Sequence, residues 1–500
     1  MKFERASGIL LHPTSLPGIY GIGDLGPASY RWVDWLAGTG CTLWQVLPLG
    51  PTGYGDSPYQ CFSAFAGNPY LISAEYLLRD NLLDPNDLIE KMDFDPVRVD
   101  FGRLIPWKLN LLERAFNRFS SVRSGIRLEF DVFCKENCSW LDDYAMFMAI
   151  KEAHGGGSWD GWPELLRKRD TIALEQARKN LTFPIMRHKF YQFVFFRQWK
   201  MLLDYAHLKG IQIIGDIPIF VASDSSDVWS HPDLFFLDAD LKPIGVAGVP
   251  PDYFSPTGQL WGNPLYRWDA HKTTGYTWWI ERLRASLELV DILRIDHFRG
   301  FAGYWEIPSG NQTAEIGRWQ QGPGADFFNM VLDAISRPKG AKERLPIIAE
   351  DLGLITPDVT SLRDQFSLPG MKVLQFGFSG PDNPFLPHSY PMNCVVYTGT
   401  HDNDTSRGWY ESAPESEKDF ARRYLGIDGS NFAWDLIRAA WRSTAVFALA
   451  PFQDFLGLGT SARFNYPSHL GGNWEWRMNE AAMSGELQGR IKELNWLYKR

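Results

Sequence analysis

Cysteine is scarce in this chain. There are five among 500 residues, an odd number, which argues against a disulfide framework and for a reducing compartment, the cytoplasm. Cys134 and Cys138 have no second pair or histidine cluster near them, so both read as ordinary helix residues rather than zinc ligands. No apolar run approaches the length needed to span a membrane. The opening MKFERASGILLHPTSLPG has only a short apolar stretch before His12 and Pro13, too little for a secretory signal. Blocks of like charge are also missing. The 50 basic and 59 acidic residues are spread along the chain for a net charge of -9, which leaves no electrostatic footprint for nucleic acid or anionic lipid. Neither nucleic acid nor a membrane is an expected partner.

Motifs for bound groups are lacking too. Gly21-Ile22-Gly23-Asp24-Leu25-Gly26 spells a dinucleotide fingerprint, but the next strand ends in LPLGP without the acid expected about 20 residues on. Asp402, Asp404 and Ser406 imitate the start of a calcium loop, yet Gly408 falls two positions late and Ala413 stands where a bidentate acid is needed. No His/Cys cluster has ligand spacing. The expectation is no metal and no cofactor.

What the chain does have is 45% hydrophobic residues with Gly and Pro throughout, enough for a large core. Apolar runs with strand character occur at 7–13, 42–49, 211–221, 291–298, 345–351, 371–378, 394–400 and 444–452. Helical patterns lie between several of them. PASYRWVDWLAGTG starts on a proline, KFYQFVFFRQWKMLLDYAHLKG ends in Gly210, TTGYTWWIERLRASLEL follows, and TPDVTSLRDQF opens on Thr356 and Pro357. Strand then helix, repeated eight times, is the pattern of an α/β fold of the (β/α)8 TIM barrel type. The connections are uneven. Residues 50–185, 222–270 and 301–343 exceed what a plain unit needs and are expected to form inserted subdomains over the C-terminal face of a single catalytic domain, 1–500.

Three acidic residues sit where apolar runs turn polar: Asp296 in DILRIDHFRGF, Glu350 in LPIIAEDLG and Asp402 in CVVYTGTHDND. Any one of them could be a helix N-cap or a loop carboxylate. Repetition at intervals of 54 and 52 residues favours a site at the C-terminal ends of barrel strands instead. Retaining glycoside chemistry needs a carboxylate nucleophile and a carboxylic acid flanking one bond, and two strand ends on one barrel face supply such a pair. The long inserts also hold Tyr54, Tyr59, Trp107, Trp159, Trp162, Tyr253, Trp261, Tyr266, Trp268 and Trp319. Core packing is the plain reading of any one of these, while the set suits a surface that stacks on sugar faces.

The segments HPTSLPG, GIGDLG, LPLGPTGYGDSPYQ, SAFAGNPYLI, PPDYFSPTGQLWGNPLYRW, LRIDHFRGF, IIAEDLG and TGTHDND together closely resemble the amylomaltases, bacterial 4-α-glucanotransferases of the α-amylase clan. The resemblance spans nearly the whole chain and implies a barrel without the C-terminal β-domain of amylases. It makes Asp296 the nucleophile, Glu350 the general acid/base and Asp402 the transition-state stabiliser, with Arg294 and His401 lining the subsite at the cleaved bond. It also implies a stacking role for Tyr59, a shaping role for Asp216, an acceptor-site lid carrying Trp261 and Asn263, a donor-side contact at Phe376 and a secondary glucan site at Tyr54. The implied substrates are maltooligosaccharides and α-1,4-glucans, and the implied state is a monomer.

The residues bear on several of these roles directly. Arg294, two positions before Asp296 on one strand, points to the same side and can hold that carboxylate ionised. Asp402 beside His401 can accept hydrogen bonds from sugar hydroxyls. Glu350 needs a raised pKa, which a pocket closed by aromatics supplies by desolvation. Asp216 reads equally as a buried acid satisfied by backbone donors, and His12 as a satisfied core histidine. Three functions stay open: a glucanotransferase, an α-1,4-glucan hydrolase of the same fold, and a non-catalytic glucan-binding protein. The intact carboxylates count against the third.

Overall fold

The computed structural model describes residues 3–88, 92–121, 125–251, 255–335, 345–467, 469 and 471–500. Eight parallel strands form a barrel: β1 (Ala6–Leu10), β2 (Leu43–Gln45), β3 (Gln212–Pro218), β4 (Ile292–Asp296), β5 (Ile347–Ala349), β6 (Gly370–Val373), β7 (Cys394–Tyr397) and β8 (Phe447–Pro451). Their order is β6-β7-β8-β1-β2-β3-β4-β5. The remaining gap is bridged where Ala349 N–H donates to the Pro369 carbonyl at 3.0 Å. Every run read as a strand contributes one, and each strand is shorter than its run. Strand pairing ends where the chain must leave the barrel, at Pro218, which brings no ladder donor, and at His297, which turns into the left-handed region at φ 56°.

Side chains alternate across the barrel wall, as successive residues of a strand must. Leu43, Ile214, Ile292, Ile348, Val395, Tyr397 and Leu449 fill the interior as one cluster. Their neighbours Trp44, Ile213, Leu293, Ile347, Val396 and Ala448 belong to the larger core between barrel and helices. Burying each large apolar side chain contributes roughly 1.5–3 kcal/mol, and burial on both faces is why the strands read as apolar runs. Gly8 is required inside: a β-carbon there would lie 2.4 Å from the Leu43 carbonyl oxygen and 2.7 Å from Leu449 Cδ2.

Helices Pro27–Gly38, Thr182–Leu208, Thr277–Leu289, Gly324–Ile335, Pro357–Gln365, Phe432–Arg442 and Gly485–Tyr498 follow the other seven strands. Prolines open the first and fifth of these, where a missing N–H costs nothing. Gly210, at φ +75°, lets the chain turn out of the second. The sixth unit departs from the expected repeat. Among the described residues between β6 and β7 there are only the 3₁₀ turns Leu374–Phe376 and Pro387–Ser389, because Pro381, Pro384, Pro387 and Pro391 interrupt any helical hydrogen-bond ladder.

The long connections build on this frame. Helices Phe101–Ser121, Gly125–Glu136, Cys138–Ala153 and Thr171–Asn180 lie between β2 and the helix before β3. Cys134 and Cys138 sit in two of these helices, and all five cysteines are free thiols. The connections after β3 and β4, read separately from the sequence, share one antiparallel sheet in the order Gln259–Pro264, Gly245–Val249, Gly303–Pro308, Arg318–Gln321. Among the described residues no helix is long and apolar enough to cross a membrane.

Candidate active site

Parallel pairing of β3 with β4 sets Asp216 opposite Arg294 and Pro218 opposite Asp296. Arg294 therefore reaches both acids from inside the barrel. Its Nη1 donates to Asp216 Oδ2 at 2.6 Å and its Nη2 to Asp296 Oδ1 at 2.7 Å. Burial would lower the guanidinium's pKa, but the charges of Asp216 and Asp296 outweigh it and raise it well above the usual value. Asp216 is buried, which pushes its carboxyl up to about 6 against the pull of Arg294. Its described partners are the side chains of Arg294 and Tyr59. The reading as an acid satisfied by backbone donors therefore gives way to that of a hub beneath Asp296.

Tyr59 joins this hub to Asp402. Its hydroxyl donates to Asp216 Oδ2 at 2.8 Å, and its ring stacks on His401 with centroids 4.8 Å apart and planes 19° off parallel. His401 Nε2 lies 3.1 Å from Asp402 Oδ2, whose side chain stays 48% exposed. Asn465 Nδ2 donates to the other oxygen, Oδ1, at 2.6 Å. Burial pushes Asp402 up, but His401 and Asn465 more than offset this and hold it at about 2. An ionised carboxylate fixed at both oxygens and open to the cleft is the result.

Glu350 directly follows β5. Its Oε2 accepts the His297 N–H at 2.7 Å and its Oε1 the Leu352 N–H at 2.8 Å. Burial, and then the charge of Asp296, push its pKa up to about 8 although Arg294 and both N–H donors pull it down. The site thus combines a carboxyl that stays protonated near neutrality with a carboxylate paired to a guanidinium, an arrangement suited to acid catalysis beside a nucleophile.

A cleft of ≈ 590 Å³ opens above these groups, with Tyr54, Tyr59, Trp261, Asn263, Asp296, His401 and Asp402 in its lining. Asn263 is buried, and its Nδ2 donates to the Val221 carbonyl at 2.8 Å, tying the Gln259–Pro264 strand to the chain leaving β3. Phe376 lies just past β6, edge-on to Phe385 at 5.6 Å and outside that lining. His12 is a core residue: its Nδ1 accepts the Leu47 N–H at 3.2 Å, and burial lowers its pKa to about 3.

The expected sugar-stacking surface is smaller than the aromatic count suggests. Trp159, Trp162 and Tyr266 are buried in the core. Trp107 packs on Tyr20 and Phe94, Trp268 on Trp279 and Phe301, and Trp319 on Trp305. Tyr253 lies outside the described residues. Tyr54, Tyr59 and Trp261 remain on the cleft. Trp474 joins them unannounced, its ring 5.9 Å from both Tyr59 and His401. Asn465 and Arg463, which donates to the Asp402 carbonyl at 2.7 Å, come from the same late segment. Among the described residues, no group of three or more His, Cys, Asp or Glu could hold a metal ion.

Comparison with known proteins bears on the family and the fold. A family model described as 4-alpha-glucanotransferase matches residues 11–483. The chain is 50% identical to the 4-alpha-glucanotransferase of Thermus thermophilus over 504 residues, covering 99% of each. It is 45% identical to the chloroplastic/amyloplastic 4-alpha-glucanotransferase DPE1 of Arabidopsis thaliana over 505 residues, 99% of this chain and 86% of that one. Its fold is similar to that of the amylomaltase from Streptococcus agalactiae in complex with acarbose, with a TM-score of 0.95 at 39% identity and coverage of 99% and 100%.

Proposed function

The chain belongs to the 4-α-glucanotransferase family, and from that membership we propose that it moves segments of α-1,4-glucans between sugar 4-hydroxyls by a retaining double displacement, with Asp296, Glu350 and Asp402 as the reacting triad. A carboxylate oxygen of Asp296 attacks the anomeric carbon and the glycosidic C–O bond breaks. Glu350 gives its proton to the departing oxygen, which leaves as the free 4-hydroxyl of the released sugar. In the second half-reaction the 4-hydroxyl of an acceptor attacks the same carbon, its proton passes to Glu350, and the ester bond to Asp296 breaks. Asp402 accepts hydrogen bonds from the sugar while the ring carries oxocarbenium charge.

The observation that carries this reading is the contrast between two neighbouring acids. Glu350, pushed up to about 8, holds a proton to donate, while Arg294 pairs with Asp296 at 2.7 Å. Once Asp296 is esterified its charge is gone, and one cause of Glu350's high pKa goes with it. The same group is then fit to act as base. Tyr59, Arg294 and His401 line the subsite at the cleaved bond in this reading, with Asp216 shaping it from below. Trp261 and Asn263 offer the acceptor side, Phe376 a donor-side contact and Tyr54 a secondary glucan site.

The reading treats 1–500 as one catalytic domain with subdomains near 50–185, 222–270 and 301–343 around the cleft, supported by the positions of Tyr54, Tyr59, Trp261 and Asn263 on its walls. A monomer in the cytoplasm is part of it. The five free thiols suit a reducing compartment. The dispersed charge, -9 in total, suits neither nucleic acid nor a membrane surface.

Transfer and hydrolysis differ in what attacks the covalent intermediate. Incubation with maltotriose is expected to give glucose and a ladder of longer chains with nearly constant reducing ends, since each transfer makes one bond for each it breaks. A steady rise in reducing ends with no product longer than the substrate would identify a hydrolase.

A further inference from the structure

His297 stands between three parts of the site that the chemistry above treats separately. It follows Asp296 directly and adopts φ 56°, ψ 48°, a left-handed conformation that is uncommon for a residue with a side chain and collects at functional positions. This conformation aims the backbone N–H at Glu350 Oε2, 2.7 Å away. The next N–H, from Phe298, donates to the Glu350 carbonyl at 3.1 Å. The same turn throws the imidazole the other way, into the cleft wall, where it meets the Trp261 ring at 4.7 Å with planes 89° apart. Gly300 lies beside it: a β-carbon there would be in van der Waals contact with His297 Cδ2 at 3.4 Å, while its close approach, 2.8 Å, would be to Ile219 Cδ1.

The ring has no other described anchor. Nε2 is buried with no hydrogen-bond partner among the described residues. Burial lowers its pKa to about 4 against the pull of Asp296, so the imidazole is neutral and adds no charge beside Glu350. Its seat is therefore set by packing, and the ring it packs on is the tryptophan of the strand Gln259–Pro264. The N–H that holds Glu350 and the ring that rests on Trp261 belong to one residue with one pair of backbone angles. A shift at either end is felt at the other.

We propose that His297 is a positioning residue that couples acceptor binding at Trp261 to the carboxyl of Glu350. A sugar seated on Trp261 fixes that ring, which fixes the His297 turn and hence the N–H that orients Glu350 Oε2 towards the incoming hydroxyl. Water reaching the intermediate makes no contact with Trp261 and gains no such alignment. The coupling favours transfer over hydrolysis beyond what water exclusion supplies, and it rests on the assignment of Glu350 as acid/base and Trp261 as acceptor platform.

The test uses His297→Asn and His297→Gly, both suited to a left-handed backbone, so the N–H to Glu350 is kept while the imidazole that rests on Trp261 is removed. With maltotriose as substrate, longer chains and net reducing ends are measured together. Transfer should fall about tenfold more than hydrolysis in either variant, within the range seen when coupling positions are altered. Adding Trp261→Ala should lower the ratio by clearly less than the product of the two single losses, because both changes cut the same link. Equal loss of transfer and hydrolysis, or a double variant whose losses multiply, overturns the coupling. A Trp261→Ala single variant with an unchanged ratio overturns the acceptor assignment itself, whatever His297 does.

Discussion

Arg294 and Asp216 face each other across β3 and β4 with Nη1 2.6 Å from Oδ2, and neither side chain is more than 4% exposed. A buried pair of this kind is poor evidence of net stability, but breaking it from one side is costly. Arg294→Met leaves Asp216 buried without its cation and Asp296 without its described hydrogen-bond donor. The expected loss is about 3–5 kcal/mol of unfolding free energy, read from denaturant midpoints, along with most of the activity. A variant as stable as the parent would remove Arg294 from the centre of this network.

Asp296→Asn and Glu350→Gln keep shape and remove the proposed nucleophile and the proposed proton donor respectively. In the proposed mechanism each acts in both half-reactions, so each change is expected to lower kcat by several orders of magnitude while circular dichroism and thermal unfolding stay close to the parent. Retention of more than about a tenth of kcat by either variant contradicts its role, since acid/base catalysis alone contributes about 10²-fold or more.

The pH dependence follows from Glu350. With its carboxyl pushed up to about 8, kcat/KM should hold through neutrality and decline on an alkaline limb with its midpoint near that value. The same shift affects stability. A raised acid binds its proton more tightly in the folded chain, so its contribution is complete below its ordinary value of 4.5 and is lost as pH rises through about 8. Asp402, held at about 2, acts the other way and loses its contribution in strong acid. An alkaline limb centred below about 6, nearer the ordinary carboxyl range, would be inconsistent with the buried Glu350.

Trp261→Ala removes an aromatic face from the wall of the cleft, on what we propose is its acceptor side, without touching the three acids. Transfer should fall and the hydrolytic share of products should rise by about tenfold, as expected when the protein gives up one stacking interaction worth about 1–1.5 kcal/mol. Product chromatography beside a reducing-end assay reads both quantities. An unchanged product ladder would place the acceptor elsewhere.

Dialysis against a chelator is expected to leave the rate unchanged. Each acid of the triad already has protein donors: Arg294 for Asp296, two backbone N–H groups for Glu350, and His401 with Asn465 for Asp402. A lost activity that a divalent ion restores would recast the three as ligands.

The barrel was legible because its strands are buried on both faces, so apolar runs such as IQIIGDIPIFV stand out whatever lies around them. The limits of those runs were not, since Pro218 and His297 end pairing through backbone geometry that apolarity does not report. The sixth helix was misread by assuming the repeat across a stretch whose prolines forbid it. The placement of Asp296, Glu350 and Asp402 at or just beyond the ends of barrel strands could be read from where apolar runs turn polar. That of Asn465 and Trp474 could not: they reach the site from the long connection between β8 and the helix Gly485–Tyr498, Asn465 across 63 positions to Asp402. Aromatic residues misled because burial and stacking call for the same side chains, as Trp159 and Tyr266 illustrate.

The late segment holding Arg463, Asn465 and Trp474 has a consequence for how the enzyme is born. Domains emerge from the ribosome amino end first and begin to fold as they appear. Asp296 and Glu350 leave the tunnel long before Asn465 is available to fix Asp402 or Trp474 to back Tyr59 and His401. The nascent chain therefore carries Asp296 and Glu350 before the cleft around them is finished. The contacts that hold Asp402 and back Tyr59 form only after the residues around 474 have been released.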